Sequence, residues 1–163
     1  MANVIREQRL IDTNKRALLK YVILSDGTQE SNTVLVDAST LAFSLNANGY
    51  IMQSGVHPKS NYRTTVKKIK AYSKNTGSVR LKWHGDANSE IITFGSASVD
   101  FNFENDGAVI SNPEANASGD ILISTLGMAT GDTVTIFLDL KKNSEDYDAG
   151  QTADPYAFNR RPL

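Results

Sequence analysis

The sequence predicts an all-β protein, a single antiparallel β-sandwich or jelly roll with extended N- and C-terminal arms. Three observations predict it. Several segments alternate apolar and polar residues with the two-residue period of a half-buried strand, turn-forming clusters separate them, and no long amphipathic helix interrupts them. About eight short strands at this spacing are the pattern of a sandwich.

In chain order, residues 1–16 read as an arm and residues 17–142 as the sandwich domain. Strands are predicted at Leu18 to Leu24 and Thr33 to Val36. Asp37 to Gly49 reads as one short helix, with Asp37 or Ser39 as N-cap, Leu41 and Leu45 on one face and Asn48-Gly49 closing it. From Tyr62 to Tyr72 the residues Tyr62, Val66 and Ile69 stand at helical spacing. The Thr64-Thr65 pair and the turn Lys74-Asn75-Thr76-Gly77 nevertheless favour a bulged strand. Val79, Leu81 and Trp83 then oppose Ser78, Arg80, Lys82 and His84; Val99, Phe101 and Phe103 oppose Asp100, Asn102 and Glu104. Strands follow at Ile91 to Phe94 and Ile121 to Leu126. Last come Val134, Ile136, Leu138 and Leu140 against Thr133, Thr135 and Asp139, with Phe137 as the misfit. The predicted core is therefore Val79, Leu81, Trp83, Val99, Phe101, Phe103, Val134, Ile136 and Leu138, and the charged residues of these strands lie on outer faces. Residues 143–163 are polar and aperiodic, an extended tail with too little to bury to hold its own order. Tyr147, Tyr156 and Phe158 are its candidate anchors, on a neighbouring subunit or back on its own sandwich.

Charge is distributed unevenly. Lys59, Arg63, Lys67, Lys68, Lys70, Lys74, Arg80 and Lys82 run without an intervening carboxylate, and Asp86 to Asp139 is an acidic stretch without lysine or arginine, although the net charge is −1. Such a chain is expected to meet a copy of itself head to tail, as a homo-oligomer. With a pI near 6.1, wholesale binding of nucleic acid by net charge is disfavoured. Tyr62, Tyr72 and Trp83 interleave with the basic run as stacking platforms beside a groove would, so a nucleic-acid- or carbohydrate-binding module is the alternative of another class. Trp83, sharing parity with Val79 and Leu81, is more simply a core residue.

No catalytic constellation, cofactor motif or metal set is present in the sequence, so no enzyme is expected. Cysteine is absent and only His57 and His84 could act as imidazole bases or ligands. His84-Gly85-Asp86 lacks the third and fourth ligands of a zinc site and reads as a turn. Asp146-Tyr147-Asp148-Ala149-Gly150 lacks the spacing and closing glutamate of a calcium loop, and Asn116-Ala117-Ser118 is a glycosylation pattern that reads as a loop. Charges at the N-terminus, and no run near the ~20 apolar residues of a membrane span, give the expectation of a soluble protein made in the cytoplasm.

Ile11-Asp12-Thr13-Asn14-Lys15-Arg16-Ala17 leading into LLKYVILSDG, then VLVDASTLAFSLNANGYIM, YRTTVKKIKAYSKNTGSVRLKWHG, ITFG and DFNFEND, resembles small β-rich virion structural proteins of tailed bacteriophages, particularly those of marine phages. The resemblance implies a structural subunit made in the host cytoplasm and carried in the virion. Capsid decoration (cement) is the first expectation, and a neck or tail subunit contacting the corresponding virion proteins is the second. It carries over no functional residue. The expected contact residues are Arg80 and Lys82, outward by alternation, and Tyr156, Phe158, Arg160 and Arg161 of the tail.

Overall fold

A computed structural model describes residues 2–52, 57–105 and 110–147. Ten strands form two antiparallel sheets: β1 (Val4–Asp12), β2 (Arg16–Asp26), β3 (Thr33–Val36), β4 (Thr64–Lys74), β5 (Ser78–Trp83), β6 (Glu90–Phe94), β7 (Ser98–Asn102), β8 (Ile110–Ser111), β9 (Ile121–Leu126) and β10 (Thr130–Lys142). The larger sheet runs β1-β2-β10-β4-β7, with the short β8 also paired to β4; the smaller runs β3-β9-β5-β6. Leu19, Tyr21, Ile23, Ile69, Ile136 and Leu138 from the first sheet meet Val79, Leu81, Trp83, Ile121 and Ile123 from the second in one core. The all-β sandwich is thus what the alternation predicted, and β3 and β9 have the bounds read from the sequence.

The helical spacing of Tyr62, Val66 and Ile69 has a simple cause. Asp139 pairs with Lys68 and Leu140 with Val66, so Lys67 is an extra residue in β4. A bulge shifts side-chain parity by one residue, which lets Val66, Ile69 and Ala71 all point inward and be buried. Glycine is demanded at Gly119, where φ is +91° and a Cβ would collide with the Tyr62 carbonyl.

Four expectations need correction. Residues 1–16 are not an arm: β1 is hydrogen-bonded along β2, as the edge strand of the larger sheet. Its residues alternate poorly because most are exposed on both faces, and its charged Arg6, Glu7 and Arg9 suit an edge that must not pair promiscuously. The 37–49 segment holds only a single 3-10 turn, Ala38–Thr40, capped by Asp37; Leu41, extended at ψ 147°, takes the chain out of helical conformation, and Phe43 at φ +65° does not resume it. The domain does not end at residue 142 either, since Asp146 and Tyr147 are both buried.

The fourth correction is Phe101. Its register opposite Ile69, with Val99 opposite Ala71, gives the predicted inward parity, yet Phe101 is 46% exposed. It sits on β7, the outermost strand of a sheet wider than the one facing it, and its ring stacks on Phe103 at 5.9 Å instead of entering the core. Phe101→Ala should therefore cost about 1 to 2 kcal/mol, against the 3 to 5 of a buried aromatic such as Trp83. Urea denaturation of the two variants side by side checks this; equal losses would contradict the assignment.

Candidate interaction face

Antiparallel pairing brings the two charge blocks together. Lys82 stands opposite Glu90, Lys70 opposite Asp100 and Lys68 opposite Asp139. Arg80 lies 3.2 Å from Glu90, Lys67 3.2 Å from Glu104, and Arg16 grips Asp139 with two contacts of 2.8 Å. Asp139 points outward as expected but is buried, because this bidentate guanidinium covers it. Blocks that are separate along the chain are mixed in space, so head-to-tail docking of separate patches does not follow from them.

Arg80 and Lys82 do lie on the outer face of the smaller sheet. Each is already engaged there, Arg80 with Glu90 and Thr93, and Lys82 with Asn32 at 2.9 Å. The other four contact residues expected from the sequence, Tyr156, Phe158, Arg160 and Arg161, lie outside the described residues.

The outer face of the larger sheet is different. Leu19, Tyr21 and Ile23 face the core, so Lys20, Val22 and Leu24 face out. The same parity on β4 turns out Lys68, Lys70, Tyr72 and Lys74. Register aligns them across the sheet: Arg6, Val22, Thr135 and Tyr72 form one row, and Lys20, Phe137, Lys70 and Asp100 the next. Val4, Val22, Leu24 and Tyr72 are 36 to 46% exposed. Among the described residues Arg6, Lys20, Lys68, Lys70 and Lys74 make no salt bridge; Lys20 and Lys70 instead lie 5.9 and 5.7 Å from the ring centroids of Phe137 and Tyr72. Such contacts leave an ammonium free to meet a carboxylate while its stem covers apolar surface. Sequence reasoning found these lysines but preferred Arg80 and Lys82, because alternation gives the face of a residue and not its neighbours across the sheet.

The remaining candidates have structural partners. Tyr62 and Trp83 are buried, which removes two of the three aromatic platforms on which a nucleic-acid groove was read. His84 Nδ1 lies 2.6 Å from Ser118 Oγ, while Asp86 accepts from the Asn116 amide at 3.1 and 3.2 Å. Base and carboxylate of that motif are thus on different partners, and among the described residues no carboxylate is hydrogen-bonded to the imidazole as the orienting group of a nucleophile-activating triad would be. Asp146 is a tie rather than a solvated acid. It accepts from Arg63 Nε at 2.7 Å, Arg63 N at 3.0 Å and Lys59 Nζ at 3.2 Å. Burial pushes this carboxyl up, but the hydrogen bonds from Arg63 and Lys59 outweigh it and hold it below the ordinary range. Asp148 lies outside the described residues. No group of three or more His, Asp or Glu able to hold a metal occurs among the described residues.

A cavity of about 520 Å³ opens beside the start of β4, lined by Asn61, Thr64, Lys67, Glu104 and Asn112. Lys67 and Glu104 are paired with each other, and Asn112 Oδ1 accepts from the Glu114 N–H. Asn61 Oδ1 and Thr64 Oγ1 remain as buried atoms without partners. Among the described residues no aromatic side chain lines it. Comparison of the chain with protein-family models, with curated proteins and with solved structures gives no match.

Proposed function

We propose that the chain is a non-catalytic virion structural subunit of a tailed bacteriophage, a capsid decoration protein in the first instance and a neck or tail subunit in the second. The observation that carries this reading is the outer face of the larger sheet. Five hydrogen-bonded strands make it rigid, and it displays exposed valine, leucine and tyrosine side chains among cations that make no salt bridge among the described residues. Monomeric proteins rarely leave apolar residues grouped in this way unless a partner covers them. A rigid face also loses little entropy on docking, which suits a subunit held in many copies. The phage assignment comes from the sequence resemblance alone.

The test is a gel of purified particles, with the chain expected in fixed stoichiometry to the major capsid protein or to a neck or tail component. Lys68→Glu with Lys70→Glu should strip it from particles at low ionic strength, while its isolated melting temperature changes little, since exposed charges contribute only about 0 to 1 kcal/mol each. Arg80→Glu with Lys82→Glu should leave occupancy unchanged. Full occupancy of the Lys68/Lys70 variant would remove this face from the assembly, and absence of the chain from particles would reject the reading as a whole.

A further inference from the structure

We infer that the outer face of the larger sheet docks an acidic protein surface with an apolar centre, and that this surface belongs to a different protein, neither nucleic acid nor a second copy of this chain; the inference rests on the assembly reading above and names its partner. The face has two layers of chemistry. Along its middle, β10 contributes Thr133, Thr135 and Phe137, with Val22 and Leu24 on one side and Tyr72 on the other. Cations flank this strip on both sides, Arg6 and Lys20 toward β1 and β2, and Lys68, Lys70 and Lys74 on β4. With strands ~4.8 Å apart, Lys20 and Lys70 straddle the strip by about 10 Å. An apolar centre with a charged rim is the anatomy of a protein contact.

A phosphate backbone would satisfy the lysines but leave Val4, Val22 and Leu24 in water, since it offers them nothing apolar. Tyr72 alone remains as an exposed aromatic of the basic run, fewer than a single strand needs for successive stacking. A second copy is also a poor occupant. The described carboxylates that lie beside cations are already paired within the chain, Glu7 with Arg9, Glu90 with Arg80, Glu104 with Lys67 and Asp139 with Arg16, while Glu114 and Asp132 are held by backbone N–H and hydroxyl donors. Asp100 stands opposite Lys70 on this same face, and it cannot by itself supply an acidic patch. Charge complementarity therefore points to another chain.

Fluorescence anisotropy of the full chain with three labelled probes tests this. Two are synthetic acidic peptides of equal charge, one with leucines between its glutamates and one with serines in their place; the third is a DNA duplex. The leucine peptide should bind at least about tenfold tighter than the serine peptide and than the duplex, a difference the apolar strip must supply. Its affinity should fall as salt is raised, and Lys68→Glu with Lys70→Glu should weaken it by at least about tenfold. Val22→Ser with Leu24→Ser should erase the preference for leucine over serine while circular dichroism confirms that the sheet is intact. Equal binding of the two peptides, tighter binding of the duplex, or no binding of any probe at low salt overturns the inference. Self-association that Lys68→Glu with Lys70→Glu abolishes would overturn it in favour of a second copy. Particle occupancy is read separately: a Lys68/Lys70 variant lost from particles despite a failed peptide assay would sink the inferred partner and leave the assembly role standing.

Discussion

Replacing Tyr147 with alanine is expected to lower the unfolding free energy by about 3 to 5 kcal/mol, the cost of emptying a buried aromatic site. The ring is fully buried, packs on Tyr62 at a centroid distance of 5.9 Å, and donates its hydroxyl to the Ala38 carbonyl at 2.8 Å. Burial drives its phenol pKa far up, so it stays a donor at any working pH. Backbone pairing fixes the same segment, Leu45 N–H donating to the Asp146 carbonyl at 2.8 Å. Tyr147→Phe should cost about 1 kcal/mol, because it leaves the Ala38 carbonyl without that donor. Deleting residues 143–163 should do more damage than Tyr147→Ala, since it also removes Asp146 and leaves Arg63 and Lys59 without that carboxylate. Reading residues 143–163 as an extended tail implies the opposite, that removing it leaves the sandwich nearly as stable. Chemical denaturation of the three variants decides it; a truncated chain as stable as the parent would show that the 143–147 segment is an ornament on the sandwich.

How far the fold could be read depended on how each strand is buried. β5 and β10 have one face in the core and an opposite face that is mostly polar, so their alternation carries the signal. β1 has little buried face, and nothing in Val4–Asp12 marks it as a strand except the partner that its pattern cannot name. β8 is two residues long, too short for any period to register. Phe101 marks another limit: period gives the side to which a residue points, and burial further requires that the opposing sheet extend that far. Tyr147, an anchor that the sequence left open between a neighbouring subunit and its own sandwich, shows a limit of the same kind. A single aromatic in a polar run becomes an anchor only because Tyr62 and Ala38, distant in sequence, form its socket.

The candidate face was half legible. After the Lys67 bulge, Lys68, Lys70, Tyr72 and Lys74 share one side by parity, which the sequence contains. Whether each lysine is free depends on strand order, and that is long-range information. β5 lies beside β6, so Arg80 meets Glu90; β4 lies between β10 and β7, whose outward residues offer only Asp100 and the already engaged Asp139. Equal charges in one run of sequence therefore end in unequal electrostatic positions, and the ones left unpaired are those on which the proposed docking depends.

Breaking the buried pair between Asp12 and Lys142 should produce the second large loss, and an asymmetric one. The Lys142 side chain is fully buried, and its three N–H groups reach Asp12 Oδ1 at 2.5 Å, the Thr13 carbonyl at 2.6 Å and the Ala42 carbonyl at 2.8 Å. Its ammonium also lies 4.9 Å from the Tyr147 ring centroid. Asp12 in turn accepts from Arg9 at 3.2 Å and from Ala42 N at 3.0 Å. Asp12→Ala strands a buried ammonium without its counter-charge and should cost about 3 to 5 kcal/mol. Lys142→Met removes the charge, keeps an apolar stem in place and leaves Asp12 with Arg9 and Ala42, so its cost should be clearly smaller. Burial already lowers the Lys142 pKa, with the Asp12 hydrogen bond opposing that shift; removing Asp12 must lower it further. Between that depressed value and the unfolded value near 10.4, the unfolded chain binds more protons than the folded one, so stability rises with pH. The deficit of Asp12→Ala relative to the parent should accordingly shrink as the pH is raised from neutral toward about 10. Denaturation midpoints of parent and both variants across that window measure it. Equal losses for the two substitutions, or a deficit of Asp12→Ala that stays flat with pH, would mean that Lys142 does not carry a buried charge on which this corner of the sandwich depends.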